Sequence, residues 1–125
     1  MLNFKFKKKL VSTKELVEDC KELEKIGFNY VCITSGGIVP KTNIKFKKKG
    51  YQVFLAKKIK ESVKIKVKTT GKISGLTHAE KIIKTNQADL ISFGRKFINS
   101  PTWLIKEMIS NKKQVKLSNQ YKRCF

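Results

Sequence analysis

Three stretches of strand length, FNYVCIT at residues 28–34, VKIKVKTT at 63–70 and DLISF at 89–93, each run into glycine, and stretches with helical spacing of apolar residues separate them. This alternation constrains the fold more than any other feature. Strands divided by crossover helices pair in parallel, so the order α-β-α-β-α-β-α predicts an α/β architecture around a parallel sheet. The glycines fall at equivalent places: Gly36-Gly37 follows the first strand, Gly71 the second and Gly94 the third. Ligand sites of barrel and doubly wound α/β folds lie at the carboxyl edge of the sheet. A bare backbone at that edge approaches a ligand closely, and the N–H groups of the next turn point towards it. The corner ADLISFGRKFINSP (88–101), where Gly94-Arg95 turns a strand directly into a helical piece, is therefore suited to a phosphate.

Local signals place the other elements. Ser12-Thr13-Lys14-Glu15 has the form of a capping box; Leu16, Val17, Cys20, Leu23 and Ile26 follow at helical spacing, and Gly27 is a natural stop. Beyond a lysine-rich loop at 39–49, Gly50-Tyr51-Gln52-Val53 opens a helix to about Glu61, with Val53, Phe54 and Ile59 expected on its buried side. Thr77-His78-Ala79-Glu80 reads as a second capping box, heading a helix whose apolar face is Ala79, Ile82 and Ile83. His78, the only histidine, is expected in a solvent-exposed capping turn and not in catalysis. Pro101 suits the first position of a last helix anchored by Trp103, Leu104, Met108 and Ile109. Residues 1–11 read as a basic lead-in and 12–125 as one domain, with no clear periodicity over 117–125.

Net charge is +20, which ordinarily points to nucleic acid. All but two of the 29 basic residues are lysines, however, the exceptions being Arg95 and Arg123. Proteins that grip bases or phosphates bidentately favour arginine, and here the lysines are spread through every segment. Such a distribution reads as compositional drift, with weak nonspecific polyanion binding at low salt. No apolar run reaches the roughly 18 residues of a membrane span, and the start lacks a signal-peptide pattern, so a cytoplasmic protein with no membrane association is expected. Cys20, Cys32 and Cys124 lie far apart without metal-ligand spacing, so they read as buried or incidental thiols, and no metal site is expected.

Six segments in order, SGG (35–37), GYQV (50–53), TTGKI (69–73), the AEKII helix, QADLISFGRKFINSPTW (87–103) and QYKRCF (120–125), resemble the C-terminal portion of the old yellow enzyme family. These are FMN-dependent ene-reductases and NADPH dehydrogenases built on a TIM (β/α)8 barrel, and the bacterial subclass ending in Gln-Tyr-x-Arg is the nearest in pattern. The resemblance implies the C-terminal half of such a barrel, about strands six to eight with their helices. It also implies that Ser35-Gly36-Gly37 ends strand six beside the flavin and substrate cavity. Gly71 then corresponds to the strand-seven glycine at the FMN phosphate, and Gly94 with Arg95 to the strand-eight pair at the same phosphate. Tyr121 and Arg123 match substrate-side residues, the arginine reaching the active site of a neighbouring subunit.

A full barrel takes about 250 residues and eight strands. The family's substrate-binding His/Asn or His/His pair and its proton-transfer tyrosine have no counterpart in these 125 residues, so no catalytic residue is expected beyond Arg123 acting on a neighbour. Lys68 stands at a strand position usually apolar in the family, and Phe54 replaces a usual proline. The leading expectation is therefore a fragment of an FMN-dependent NAD(P)H oxidoreductase that keeps the FMN phosphate corner and is inactive alone, either a gene remnant or one piece of a split enzyme. A companion N-terminal half-barrel would supply the rest. The alternatives are a noncatalytic lysine-rich module binding nucleic acid, and a half-barrel pairing with a full-length homologue.

Overall fold

The computed structural model describes residues 12–35 and 48–124. Within them, helix α1 (Thr13–Ile26) leads to strand β1 (Tyr30–Ile33), α2 (Val53–Lys60), β2 (Lys66–Thr69), α3 (Leu76–Lys84), β3 (Leu90–Ile91), α4 (Arg95–Asn99) and α5 (Trp103–Ser110). A 3-10 turn at Lys122–Cys124 closes the described chain. The three strands form one parallel sheet in the order β1-β2-β3, with Tyr30 opposite Lys66, Cys32 opposite Lys68 and Lys68 opposite Leu90. The alternating pattern thus yields the parallel sheet it predicts. The lead-in at 1–11, the Gly36-Gly37 corner and most of the basic loop at 39–49 lie outside the described residues.

The period-two geometry of strands divides the sheet into two unlike faces. Val31, Ile33, Val67 and Thr69 are buried on one side, where they meet Cys20 of α1, Val53, Ala56 and Ile59 of α2, and Ala79 and Ile82 of α3. The opposite side carries Tyr30, Cys32, Lys66, Lys68 and Leu90, and Tyr30 and Leu90 stay 50% and 43% exposed. Lys68, at a position usually apolar in the family, stands on this open side with its ammonium 5.1 Å from the centre of the Tyr30 ring, a cation–π contact.

Helix α1 is set by its capping box. The Ser12 hydroxyl accepts the Glu15 N–H at 3.2 Å, Glu15 Oε2 accepts the Ser12 N–H at 2.7 Å, and Gly27 closes the helix in the left-handed region at φ 100°. Glu24 on the same helix accepts the N–H groups of Lys64 and Ile65 at 2.7 and 3.1 Å, which fixes the entry to β2. Burial pushes the Cys20 thiol up, with the Asp19 charge adding to it, so this thiol stays neutral against the sheet. Cys32 and Cys124 are exposed, and all three cysteines are free.

Asp89 anchors β3. Its Oδ2 accepts the Val67 N–H at 2.9 Å, its Oδ1 meets the Lys60 ammonium at 2.7 Å, and its own N–H donates to the Val67 carbonyl at 2.8 Å. Burial pushes the carboxyl up, but the Lys60 hydrogen bond, the Val67 N–H and the charges of Lys60 and Lys66 outweigh it and hold the group below the usual carboxylate range.

Several local expectations give way to tertiary structure. Ile26 and Phe54, expected on buried faces, are 73% and 58% exposed, because nothing among the described residues covers those sides of α1 and α2. Ile83 and Ile109 are likewise exposed, while Ala56, unremarkable in sequence, is fully buried. The second capping box does not form: α3 starts at Leu76, one residue before Thr77, and its cap position is Gly75. His78 lies within the first turn and is half-buried, its Nδ1 accepting the N–H of Ser74, the residue before the cap, at 3.3 Å and lying 3.2 Å from the Ser74 hydroxyl. Pro101 sits before the cap residue Thr102 and not at the first helical position, so it shapes the turn into α5. Trp103 still anchors that helix, 9% exposed and edge-on to Phe93 at 4.9 Å. No helix among the described residues is long and apolar enough to cross a membrane.

Candidate functional site

The carboxyl ends of all three strands open onto one cleft of about 920 Å³. Thr34 beyond β1, the stretch Thr70 to Ser74 beyond β2 and the stretch Ser92 to Lys96 beyond β3 form its walls, and Tyr51 and Gln52 at the head of α2 close one side. The strand ends are held in register beside it: Ser92 N–H donates to the Thr69 carbonyl at 2.9 Å, and the Thr70 hydroxyl donates to the Ser92 carbonyl at 3.2 Å.

Gly71 is required where it stands. Its φ of 101° lies in the left-handed region, and a Cβ there would come within 3.0 Å of both Gln52 Oε1 and Tyr51 Cε1. The bare backbone therefore lets the β2 loop fold over the Tyr51-Gln52 pair. Lys72 continues the left-handed course at φ 55°, and its carbonyl accepts the Gly50 N–H at 3.2 Å, joining the β2 loop to the turn before α2.

Gln52 is the polar side chain that sequence reasoning passed over. It is 1% exposed, its Nε2 has the Thr34 and Ser35 hydroxyls at 3.3 Å each and the Tyr51 hydroxyl at 3.1 Å as acceptors to share its two hydrogens, and its Oε1 is buried without a partner among the described residues. A buried amide with one end unsatisfied is costly unless something else meets it. The hints in the sequence are a glutamine placed directly before the apolar face of a helix and its place in the GYQV segment.

Gly94 and Arg95 line the facing wall, and both are exposed. Gly94 has φ −82° and open space where a Cβ would stand, so neither backbone nor packing demands glycine there. Lys49, Lys72, Arg95 and Lys96 give the described lining four cationic side chains and no carboxylate. In so basic a chain cations alone distinguish little. Their convergence on three strand ends, with a glycine-cleared floor and an unsatisfied buried amide, is specific to this place. Tyr121 and Arg123 are exposed in the C-terminal turn and do not line the cleft. Among the described residues no group of three or more His, Cys, Asp or Glu side chains is arranged to hold a metal ion.

Such a cleft fits the phosphate end of a nucleotide-type cofactor. Cationic side chains and strand-end backbone would meet the phosphate, and the buried amide and neighbouring hydroxyls would meet polar groups further along the ligand.

The family model of the NADH:flavin oxidoreductase / NADH oxidase family matches residues 5–114. The NADPH dehydrogenase of Bacillus pumilus (strain SAFR-032) is 37% identical over 79 residues, a stretch that takes in 63% of this chain and 23% of that protein, so the match spans under a quarter of the relative's length. A small parallel α/β unit with its cleft at the strand ends is consistent with part of the TIM barrel of such proteins. The chain belongs to the NADH:flavin oxidoreductase / NADH oxidase family.

Proposed function

We propose that this chain is the cofactor-phosphate portion of an FMN-dependent NAD(P)H oxidoreductase, corresponding to about strands six to eight of its barrel. The observation that carries the reading is the cleft where β2 and β3 end side by side, with Gly71 on one wall and Gly94-Arg95 on the other. That is the usual phosphate position of TIM barrels, in the loops after strands seven and eight. Arg95 would pair with the phosphate, the backbone around Gly71 and Gly94 would admit it closely, and Gln52 would satisfy its free Oε1 on a hydroxyl or N–H of the ligand. FMN, when bound, supplies a ring able to accept a hydride from NAD(P)H. The role of the residues here is to bind and orient. Titration of FMN with the full chain, followed by flavin fluorescence and thermal shift, is expected to show saturable binding that Arg95→Ala weakens. An FMN signal identical in wild type and Arg95→Ala would sink the assignment.

We further propose that the open face of the sheet packs against the remaining strands of such a barrel, carried by a companion N-terminal half-barrel or a homologous chain. Among the described residues three strands stand where a barrel has eight, β1 and β3 are the edges of that sheet, and Tyr30, Cys32 and Leu90 are uncovered on the face that would turn inward. A partner surface opposite Lys68 would need an acidic or strongly polar group. Enone-dependent NADPH oxidation appearing only when both parts are mixed, and abolished by Leu90→Glu, is the expected result. Tyr121 and Arg123 remain the candidates for contact with substrate, through a neighbouring subunit.

A further inference from the structure

We propose that Glu107, a residue outside the cleft, is a positioning residue that clasps together the two loops forming its phosphate-side walls. The functional part of this inference rests on the phosphate reading above. Glu107 projects from α5, and its Oε1 accepts the Leu76 N–H at 2.7 Å across 31 positions of sequence. Its Oε2 lies 3.9 Å from the Lys96 ammonium. Leu76 directly follows the β2-end loop that lines one wall, and Lys96, in the first turn of α4, belongs to the β3-end stretch that lines the other. One carboxylate therefore touches both.

Gly75 shows that this contact shapes the local sequence. Its φ of 165° is extended backbone that any residue adopts, so the need for glycine is not conformational. A Cβ at that position would lie 2.8 Å from Glu107 Oε1 and 3.4 Å from the Lys96 ammonium. Glycine makes room for the carboxylate to reach the start of α3, where first-turn N–H groups lack intrahelical partners and a negative charge is favoured. With Gly75 at the cap position and no side-chain cap of its own, α3 takes its cap from α5. The same helix holds the β3 loop a second way: Trp103 packs edge-on to Phe93 at 4.9 Å and Phe97 at 5.5 Å, and the Lys96 ammonium lies 4.5 Å from the Trp103 ring centre.

Electrostatics alone and positioning predict opposite signs. Removing a carboxylate near a cluster of cations should strengthen anion binding if charge is all that matters. If Glu107 sets the spacing of the walls, its removal should weaken recognition of the phosphate and leave contacts to the rest of the flavin unaffected. Glu107→Gln keeps an oxygen for the Leu76 N–H, and Gly75→Ala displaces the carboxylate without altering it.

The test uses the full chain and its Glu107→Ala, Glu107→Gln and Gly75→Ala variants, with amide hydrogen exchange of the free proteins and affinities for FMN and riboflavin. Glu107→Ala and Gly75→Ala are expected to speed exchange at Leu76 by about tenfold or more. Both should lower the FMN-to-riboflavin affinity ratio several-fold, and Glu107→Gln, which keeps the acceptor for Leu76 but not the charge that holds Lys96, should restore the slow exchange at Leu76 and only part of the ratio. Unchanged exchange across 72–76 in Glu107→Ala, or an FMN-to-riboflavin ratio that holds or rises, would overturn the proposal. If the wild type does not prefer FMN to riboflavin, the phosphate reading fails, and exchange alone decides whether the clasp exists. Should Glu107→Ala not fold, Gly75→Ala and Glu107→Gln carry the comparison.

Discussion

Gly71 and Gly94 close neighbouring strands and look interchangeable in sequence, yet the structure uses them differently. Gly71 is held at φ 101° with its missing Cβ filled by Gln52 and Tyr51, so the fold itself depends on it. Gly94 has an ordinary negative φ and nothing within 4 Å of where a Cβ would stand. The β2 corner is built by packing around a bare backbone, whereas the β3 corner is built by Asp89 at the base of its strand and by Trp103 behind its loop. Gly94, a glycine that packing does not demand on the wall of a cationic cleft, is the one for which the proposed ligand offers a reason.

The largest effect belongs to Gly71→Ala. Left-handed strain and a Cβ at 3.0 Å from two side-chain atoms should together destabilise the chain by roughly 2 to 4 kcal/mol, read as a lower denaturant midpoint. A neutral result would place the two corners in the same class and break the comparison.

Asp89→Asn comes next. It removes a charge held by Lys60 at 2.7 Å, both side chains being less than one-fifth exposed, and should lower stability by roughly 1.5 to 3 kcal/mol. Acid denaturation sharpens the same point. Because Asp89 is held below its ordinary value, its contribution is complete above about pH 3.9 and is lost as pH falls through the depressed folded-state pKa. The variant should flatten that acid limb, and an unchanged limb would mean that Asp89 does not anchor β3.

The smallest effect on stability is that of Gly94→Ala, expected within about 0.5 kcal/mol of wild type. If its FMN affinity nevertheless falls, the glycine serves the ligand and not the fold. Loss of stability without loss of binding would reverse that assignment.

Much of this organisation was legible where it is local. The Ser12/Glu15 capping box, the stop at Gly27, the parallel order of strands and the glycines beyond them follow from spacing and residue type, and the structure realises them among the described residues. What escaped depends on partners distant in sequence. The box at Thr77 fails because Glu107, 31 positions from Leu76, already caps that helix. Gln52 looks like a polar residue at a helix start until Thr34 and Ser35, 18 and 17 positions earlier, converge on it. Phe54 and Ile26 follow helical periodicity, but no partner among the described residues covers them, and periodicity reports a face without saying what meets it.

The central claim is that the strand-end cleft recognises the phosphate of FMN. Its most direct test is calorimetric titration of the full chain with FMN and with riboflavin, which differ by that phosphate, at about 150 mM salt, where attraction between distant surface charges is largely screened. The account predicts FMN affinity about tenfold or more above that of riboflavin, from charge-assisted contacts in the cleft. Equal affinities for the two, or no binding of either, would contradict it.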